Sequence, residues 1–296
     1  VATTGLKTHS LYFKDRIMRH FKQLIITLLL PFLGLLSVSN TGFSAENRLT
    51  ITGSSTVAPL ALEIAKRYEK NHPGVRIDVQ TGGTSRGIND ARTGLADIGM
   101  VSRAIKSSEQ DLKAFLLALD GIGLIAHHTN PITSLSETQV IEIYKGKITN
   151  WQTVGGPDLP ISVVNKAEGR STLELFLEHF SLKNSEVKPH VIIGDNQQGI
   201  KTIAGNPGAI GYVSIGTAEF EEKRGAPIKR IALEGSMASI KTVAEGRYPL
   251  SRELNFVITG KPTPLSEDFL NFAQSEKVKD LIERQFFVSP NNSLIH

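Results

Sequence analysis

The chain alternates between two hydrophobic periods. Residues 48–52 (RLTIT) alternate apolar and polar, a pattern that predicts a short strand. From Pro59 the apolar residues Leu60, Ala61, Ile64, Ala65 and Tyr68 recur at three- and four-residue spacing, and His72-Pro73-Gly74 closes that helix. Val75, Ile77 and Val79 return to period two. After GGTSRG (82–87) comes a short helix through Ile88–Arg92, and then a strand over Ala96–Val101. Ser107 with Gln110 predicts a capping box opening a helix to Leu119, and Ile122–Ala126 (IGLIA) reads as a strand buried on both faces. The second half repeats the style. A helix starts at Ser136 with Gln139 and runs through Tyr144. Strands follow at Ile161–Val164, Val191–Ile193, 208–214 (GAIGYVS) and Leu254–Ile258. An amphipathic helix carries Leu173, Phe176, Leu177 and Phe180, and another closes the chain from Ser266. Such alternation predicts an α/β architecture with largely parallel sheets. No low-complexity linker separates the halves, which suits two lobes joined by chain crossings.

One segment stands outside this pattern. From Met18 the chain reads MRHFKQ, then LIITLLLPFLGLLSV, then SNTGFSAEN: a basic start, an apolar run and a small-residue exit, the layout of a signal peptide. Pro31 and Gly34 interrupt the run, which argues against a membrane anchor. Residues 18–45 are therefore expected to be a leader cleaved near Ala45, although Phe43 is bulky for that site, and residues 1–17 a non-native upstream extension. This changes the charge balance. Taking the five bases and one acid of residues 1–45 from the totals of 33 and 29 leaves 28 of each, a net charge of zero. Nothing in that balance supports nucleic-acid binding, and any anion site has to be local. The chain has no cysteine, so disulfides and a lipid-anchor thiol are excluded. A soluble protein of a bacterial periplasm is expected, with a core large enough to hold it without crosslinks.

Candidate chemistry concentrates in three similar turns. Gly53-Ser54-Ser55-Thr56, Gly83-Thr84-Ser85-Arg86-Gly87 and Gly169-Arg170-Ser171-Thr172 each follow a strand signal and precede a helix. A helix start offers unpaired N–H groups and the positive end of the dipole, hydroxyls add donors of adjustable direction, and glycine permits close approach. Each turn alone reads more readily as an ordinary cap than as an anion site, and Ser171 with Glu174 has capping-box spacing. All three lie at strand–helix junctions, where open α/β sheets place ligands, so convergence on one small anion explains them jointly. Arg103, just past a strand beside Ser102, and Arg170 could each grip an oxyanion through paired N–H groups. Arg86 is expected to point outward.

The second turn also fits G-x-S-x-G, which would make Ser85 a hydrolase nucleophile. The accompanying parts are missing: there is no upstream HGGG-type segment, and the histidines downstream (His127, His128, His179, His190) sit in ordinary surroundings. No H-E-x-x-H, Walker A or Cys/His cluster occurs, so neither metal nor cofactor is expected.

Residues 51–103 resemble the N-terminal lobe of the phosphate-binding subunits of bacterial high-affinity phosphate ABC transporters. The likeness continues through IYKGKITNWQTVGG (143–156), NKAEGRSTLELF (165–176), NPGAIGYVS (206–214) and YPLSRELNFVITG (248–260). It implies a two-lobed periplasmic-binding-protein fold of type II kind, with mixed, mainly parallel sheets flanked by helices and a cleft between the lobes. Lobe I is expected over 46–126 plus 246–296 and lobe II over 127–245. The implied function is capture of inorganic phosphate for a membrane permease by a monomer, without catalysis. Sulfate or phosphonate binding is the alternative, and Ser85 hydrolysis a weaker one. The family's ligand contacts map onto Ser55, Thr56, Thr84, Ser102, Arg103, Arg170, Ser171 and Thr172, with Ser54, Ser85, Lys166 and Glu168 as secondary candidates. Lys166 falls where many relatives carry arginine. Two departures stand out. Some relatives have an aspartate at the place of Arg103, accepting the phosphate proton and so rejecting sulfate. The common GSGT turn is GRST here. Either Glu168 takes over as acceptor, or arginine balances the ligand's charge instead.

Overall fold

The computed structural model describes residues 47–290. The expected upstream extension and leader lie outside the described residues. The first strand, β1 (Arg48–Gly53), feeds α1 (Ala58–Asn71), whose buried stripe of Leu60, Ala61, Ile64, Ala65 and Tyr68 follows the spacing read from the sequence. Next come β2 (Arg76–Thr81), α2 (Thr84–Thr93) and β3 (Ile98–Val101). The long β4 (Leu112–His127) leads to β5 (Ser134–Leu135), α3 (Glu137–Tyr144), β6 (Ser162–Lys166) and α4 (Ser171–His179). Then follow β7 (Val191–Ile193), α5 (Asn196–Ala204), β8 (Ala209–Ser214), α6 (Ile215–Lys223) and β9 (Ile228–Leu233). The chain finishes with α7 (Ile240–Ala244), β10 (Ser251–Thr259), α8 (Pro264–Ala273) and α9 (Lys279–Arg284). The predicted capping box at Ser136 and Gln139 is formed. Among the described residues no helix is long and apolar enough to cross a membrane.

The strands form one ten-stranded sheet whose main path runs β2-β1-β3-β10-β4-β8-β6-β7, with β9 paired to β4 and β5. Pairing is parallel at each end of this path (β1 with β2 and β3, β6 with β7 and β8) and antiparallel at its centre, where β10 lies between β3 and β4 and β4 meets β8 and β9. The sheet is thus more evenly mixed than the alternating helices and strands suggested.

The centre also corrects one expectation. Leu112–Leu119 is not a helix from a Ser107 cap but the first half of β4, paired with β10 from Leu112↔Thr259 to Gly121↔Ser251. Its second half, Ile122–His127, pairs with β8 and β9. The neighbouring strands satisfy the backbone groups a helix would have satisfied internally, so non-local pairing overrides the local capping signal. Residues 117–127 are buried without interruption, as a strand covered on both faces requires. Along its length β4 feeds successive cores. Leu117 and Ala118 pack with Ile51, Ile64, Phe256 and Phe269. Ile122 and Leu124 pack with Tyr144, Trp151, Phe176 and Tyr212. Ile125 packs with Val164, Ile203 and Val213. Each of these large side chains contributes about 1.5–3 kcal/mol by leaving water.

Candidate functional site

The three glycine-hydroxyl turns lie at the β1–α1, β2–α2 and β6–α4 junctions. In the first, Gly53 has φ +133, and a Cβ there would sit 2.4 Å from the Met100 carbonyl oxygen, so β1 approaches β3 too closely for any other residue. Ser54 is buried, and its Oγ accepts from the backbone N–H of Thr56 (3.2 Å) and Val57 (3.4 Å). Thr56 is buried as well. Its Oγ1 accepts from Arg252 Nη2 at 3.2 Å and from Asn196 Nδ2 at 3.1 Å. A hydroxyl has two acceptor sites and one hydrogen. With both acceptor sites filled by N–H donors, the Thr56 hydrogen is left to donate. Ser55 stands at the mouth, lining a groove of about 380 Å³ with Pro59, Leu62, Asn196 and Thr217.

In the second turn Thr84 begins α2, is fully buried, and accepts from the backbone N–H of Ser102 at 3.3 Å. Ser102 thus reaches the cluster through its backbone. Gly83 has φ +96, and a Cβ there would come within 2.6 Å of the Gly169 carbonyl oxygen and 2.8 Å of Arg170 Cδ. The backbone N–H of exposed Ser85 donates to that same carbonyl at 3.2 Å, so the second turn rests directly on the third. Arg86 turns outward, as expected, and bonds Asp90 at 3.0 Å. The hydrolase reading gains nothing from these neighbours. His127 bonds Thr129 and lies tilted against His128, His190 accepts from Val163 N–H, and His179 faces Glu137.

The third turn departs from its capping-box reading. Arg170 holds the N-cap position with no side-chain cap bond, and Glu174 instead accepts from Arg103 Nε (3.2 Å) and Lys106 Nζ (3.1 Å). Ser171 Oγ and Arg170 Nε are buried without a partner among the described residues. Thr172 Oγ1 accepts from Arg252 Nη1 at 2.9 Å, which leaves its hydrogen to donate in the same sense as that of Thr56.

Arg252, on β10, links the first and third turns, and reasoning from sequence missed it. Its side chain is 1% exposed and its partner Asp120 is wholly buried; Nε and Nη2 meet Asp120 Oδ2 at 3.0 and 2.8 Å. The other oxygen, Oδ1, takes the backbone N–H of Gly216 at 3.1 Å. A signal existed: Arg252 shares the inward parity of Leu254 in an apolar strand, and such a position calls for a buried acid. Asp120, lodged in the apolar run LLALDGIGLIA, is that acid.

Lys166 ends β6 and is 3% exposed. Its Nζ donates to Asn196 Oδ1 at 3.0 Å, and Asn196 in turn reaches Thr56. Burial foremost, and then the positive charges of Arg252 and Arg170, push the lysine down to about 7. Asn196, the first residue of α5, is a second participant that sequence reasoning missed. It lies in a helix with no counterpart in the periodicity read there.

Besides Ser55 at the groove and exposed Ser85, the predicted residues Arg103 and Glu168 also stand apart from this cluster. Arg103 is buried, but each of its guanidinium nitrogens already bonds a carboxylate: Nη1 and Nη2 bind Glu109 at 2.8 and 2.7 Å, and Nε binds Glu174. That guanidinium holds the Glu109 carboxyl below its ordinary range. Glu168 is turned to the surface and accepts from Asn184 at 2.9 Å. The cluster therefore collects Ser54, Thr56, Thr84, Ser171, Thr172, Arg252, Lys166 and Asn196, with Arg170 alongside. Hydroxyl hydrogens and cations converge, while the bonded carboxylate, Asp120, has both oxygens occupied. Such a set is complementary to a small oxyanion. Among the described residues no group of three or more His, Cys, Asp or Glu is arranged to hold a metal ion.

A sheet parallel at both ends and crossed by antiparallel strands, with helix starts from both halves of the chain meeting at hydroxyls, defines a two-lobed solute-binding fold. Residues 40–277 match the PBP superfamily domain, and the chain belongs to that superfamily. Among solved structures it is similar to a putative phosphate ABC transporter substrate-binding protein with bound phosphate from Clostridium perfringens, with 32% identity, 82% of this chain and 99% of that chain covered, and a TM-score of 0.76. It is also similar to an ABC-type phosphate transport receptor from Vibrio cholerae, with 31% identity, 82% and 100% covered, and a TM-score of 0.68. The phosphate-binding protein PstS of Bacillus subtilis is 28% identical over 249 residues, covering 82% of this chain and 81% of its own. The family resemblance read from residues 51–103 onward holds.

Proposed function

We propose that this protein is an exported solute-binding protein that captures inorganic phosphate between two lobes and delivers it to the membrane permease of an ABC transporter. The carrying observation is the direction of the hydroxyls. Thr56, Thr84 and Thr172 each accept from an N–H donor, so their hydrogens are available to an anion. Buried Ser171 Oγ and Arg170 Nε add donors with no partner among the described residues, and Arg252 and Lys166 supply charge. The family and its phosphate-named relatives support the same ligand.

The lobes are residues 46–126 with 246–296, and 127–245, joined through β4 and β10. Ser55, Thr56 and Thr84 belong to one, and Ser171 and Thr172 to the other. Closure brings the second turn onto the third, where Ser85 N–H meets Gly169, and places the anion among fixed dipoles out of water. The protein works as a monomer in the periplasm after removal of residues 18–45, and it catalyses no reaction. Calorimetry of the ligand-free protein with phosphate tests this reading. A saturable one-to-one heat is expected, with weaker competition from sulfate and phosphonates; absence of any heat with phosphate refutes it.

A further inference from the structure

Lys166 is a buried charge of the cluster that no ion pair fixes among the described residues. Lys166 Nζ has Asn196 Oδ1 as its hydrogen-bond partner, and no carboxylate bonds it among the described residues. The groups that face it come from every neighbouring element. Arg252 on β10 and Arg170 in the β6–α4 turn are cations. Asp195 at the start of α5 opposes them, but its Oδ1 caps that helix through Gln198 N–H at 2.7 Å. The Tyr212 hydroxyl on β8 is held by Asn165. Asp120 is shared between Arg252 and Gly216. An ammonium beside the Arg252 guanidinium in a buried pocket is unfavourable until an anion arrives.

We propose that Lys166 is the proton partner of the bound oxyanion. In the empty site above neutral pH it is a neutral amine. When the phosphate dianion enters, the amine takes one proton from solvent, and an ammonium–dianion pair forms with no bond made or broken in the phosphate. A lysine at this position therefore makes capture proton-linked, which an arginine, always charged, would not do. The inference rests on the phosphate reading. It deepens that reading by supplying a titrating group where Glu168 has turned away. The lysine's lowered pKa agrees with the geometry.

The test is calorimetry of the full-length protein with inorganic phosphate at about pH 8.5, where the ligand is already a dianion, in two buffers of widely different ionisation enthalpy. Uptake approaching one proton per phosphate is expected, together with an affinity that falls nearly tenfold per pH unit above pH 8. Lys166→Arg should bind within about tenfold of the parent and lose both effects. Equal heats in the two buffers would overturn the proposal while leaving phosphate binding intact. So would uptake that persists in Lys166→Arg. Absence of heat in either buffer would instead remove the phosphate reading on which the proposal stands.

Discussion

Arg252 carries two duties that substitution can separate. It neutralises Asp120, and it presents the Thr56 and Thr172 hydroxyls to the cleft. Arg252→Met keeps the packing of the stem but leaves a wholly buried carboxylate with Gly216 N–H as its remaining partner. Breaking a buried ion pair from one side costs about 3–5 kcal/mol, a large share of the roughly 5–15 kcal/mol by which domains are stable. Asp120→Asn in the same chain removes the stranded charge and keeps an acceptor for Gly216. The double variant should therefore return to within about 1–2 kcal/mol of the parent, a coupling of at least about 2 kcal/mol. Affinity should behave differently. The cation and the donor orientation are both gone in either variant, so phosphate binding should fall about 100-fold or more in each. Urea denaturation of the four proteins of the cycle gives the stabilities, and calorimetry gives the affinities. A loss below about 1 kcal/mol in Arg252→Met would refute the ion-pair argument, and recovery of affinity in the double variant would refute the role in anion binding.

Lys166 imposes a pH dependence on folding. Its ordinary value near 10.5 drops to about 7 on burial, so between those values the unfolded chain holds more protons than the folded one. Without anion, stability should then rise with pH across that window by about 5 kcal/mol at most. Thermal melts of Lys166→Met should lack this slope. Gly83→Ala places a Cβ against the Gly169 carbonyl at positive φ; phosphate affinity by calorimetry should drop at least about tenfold, and an unchanged affinity would show that the second and third turns need not touch. Ser171→Ala removes a buried hydroxyl without a partner among the described residues, for an expected loss of about 10–100-fold in the same assay. Ser85→Ala, at an exposed site whose backbone makes the contact, should change affinity less than about threefold.

Much of this protein was legible in its residues. The periodicities at Leu60–Tyr68 and Leu173–Phe180 located helices because a buried stripe on an amphipathic helix needs no distant partner to be recognised. The glycine-hydroxyl turns were legible because strand–helix junctions expose N–H groups locally; Arg252 bridges Thr56 and Thr172, and the second turn rests on the third. The G-x-S-x-G letters around Ser85 proved uninformative about the cluster, where the neighbouring Thr84 stands. Three features were decided only by tertiary structure. Leu112–Leu119 became a strand because β10, more than a hundred residues away in sequence, offered it a ladder of hydrogen bonds. Arg103 was drawn to Glu109 and Glu174, while Arg252 took the central place beside Asp120. Neither choice can be read from an arginine's immediate neighbours, since a buried charge settles where the fold supplies its partner. The chain by itself determined the elements and the kinds of donor; packing across β4 and β10 determined which cations face the cleft, because electrostatic pairing in a dry interior depends on distance in space.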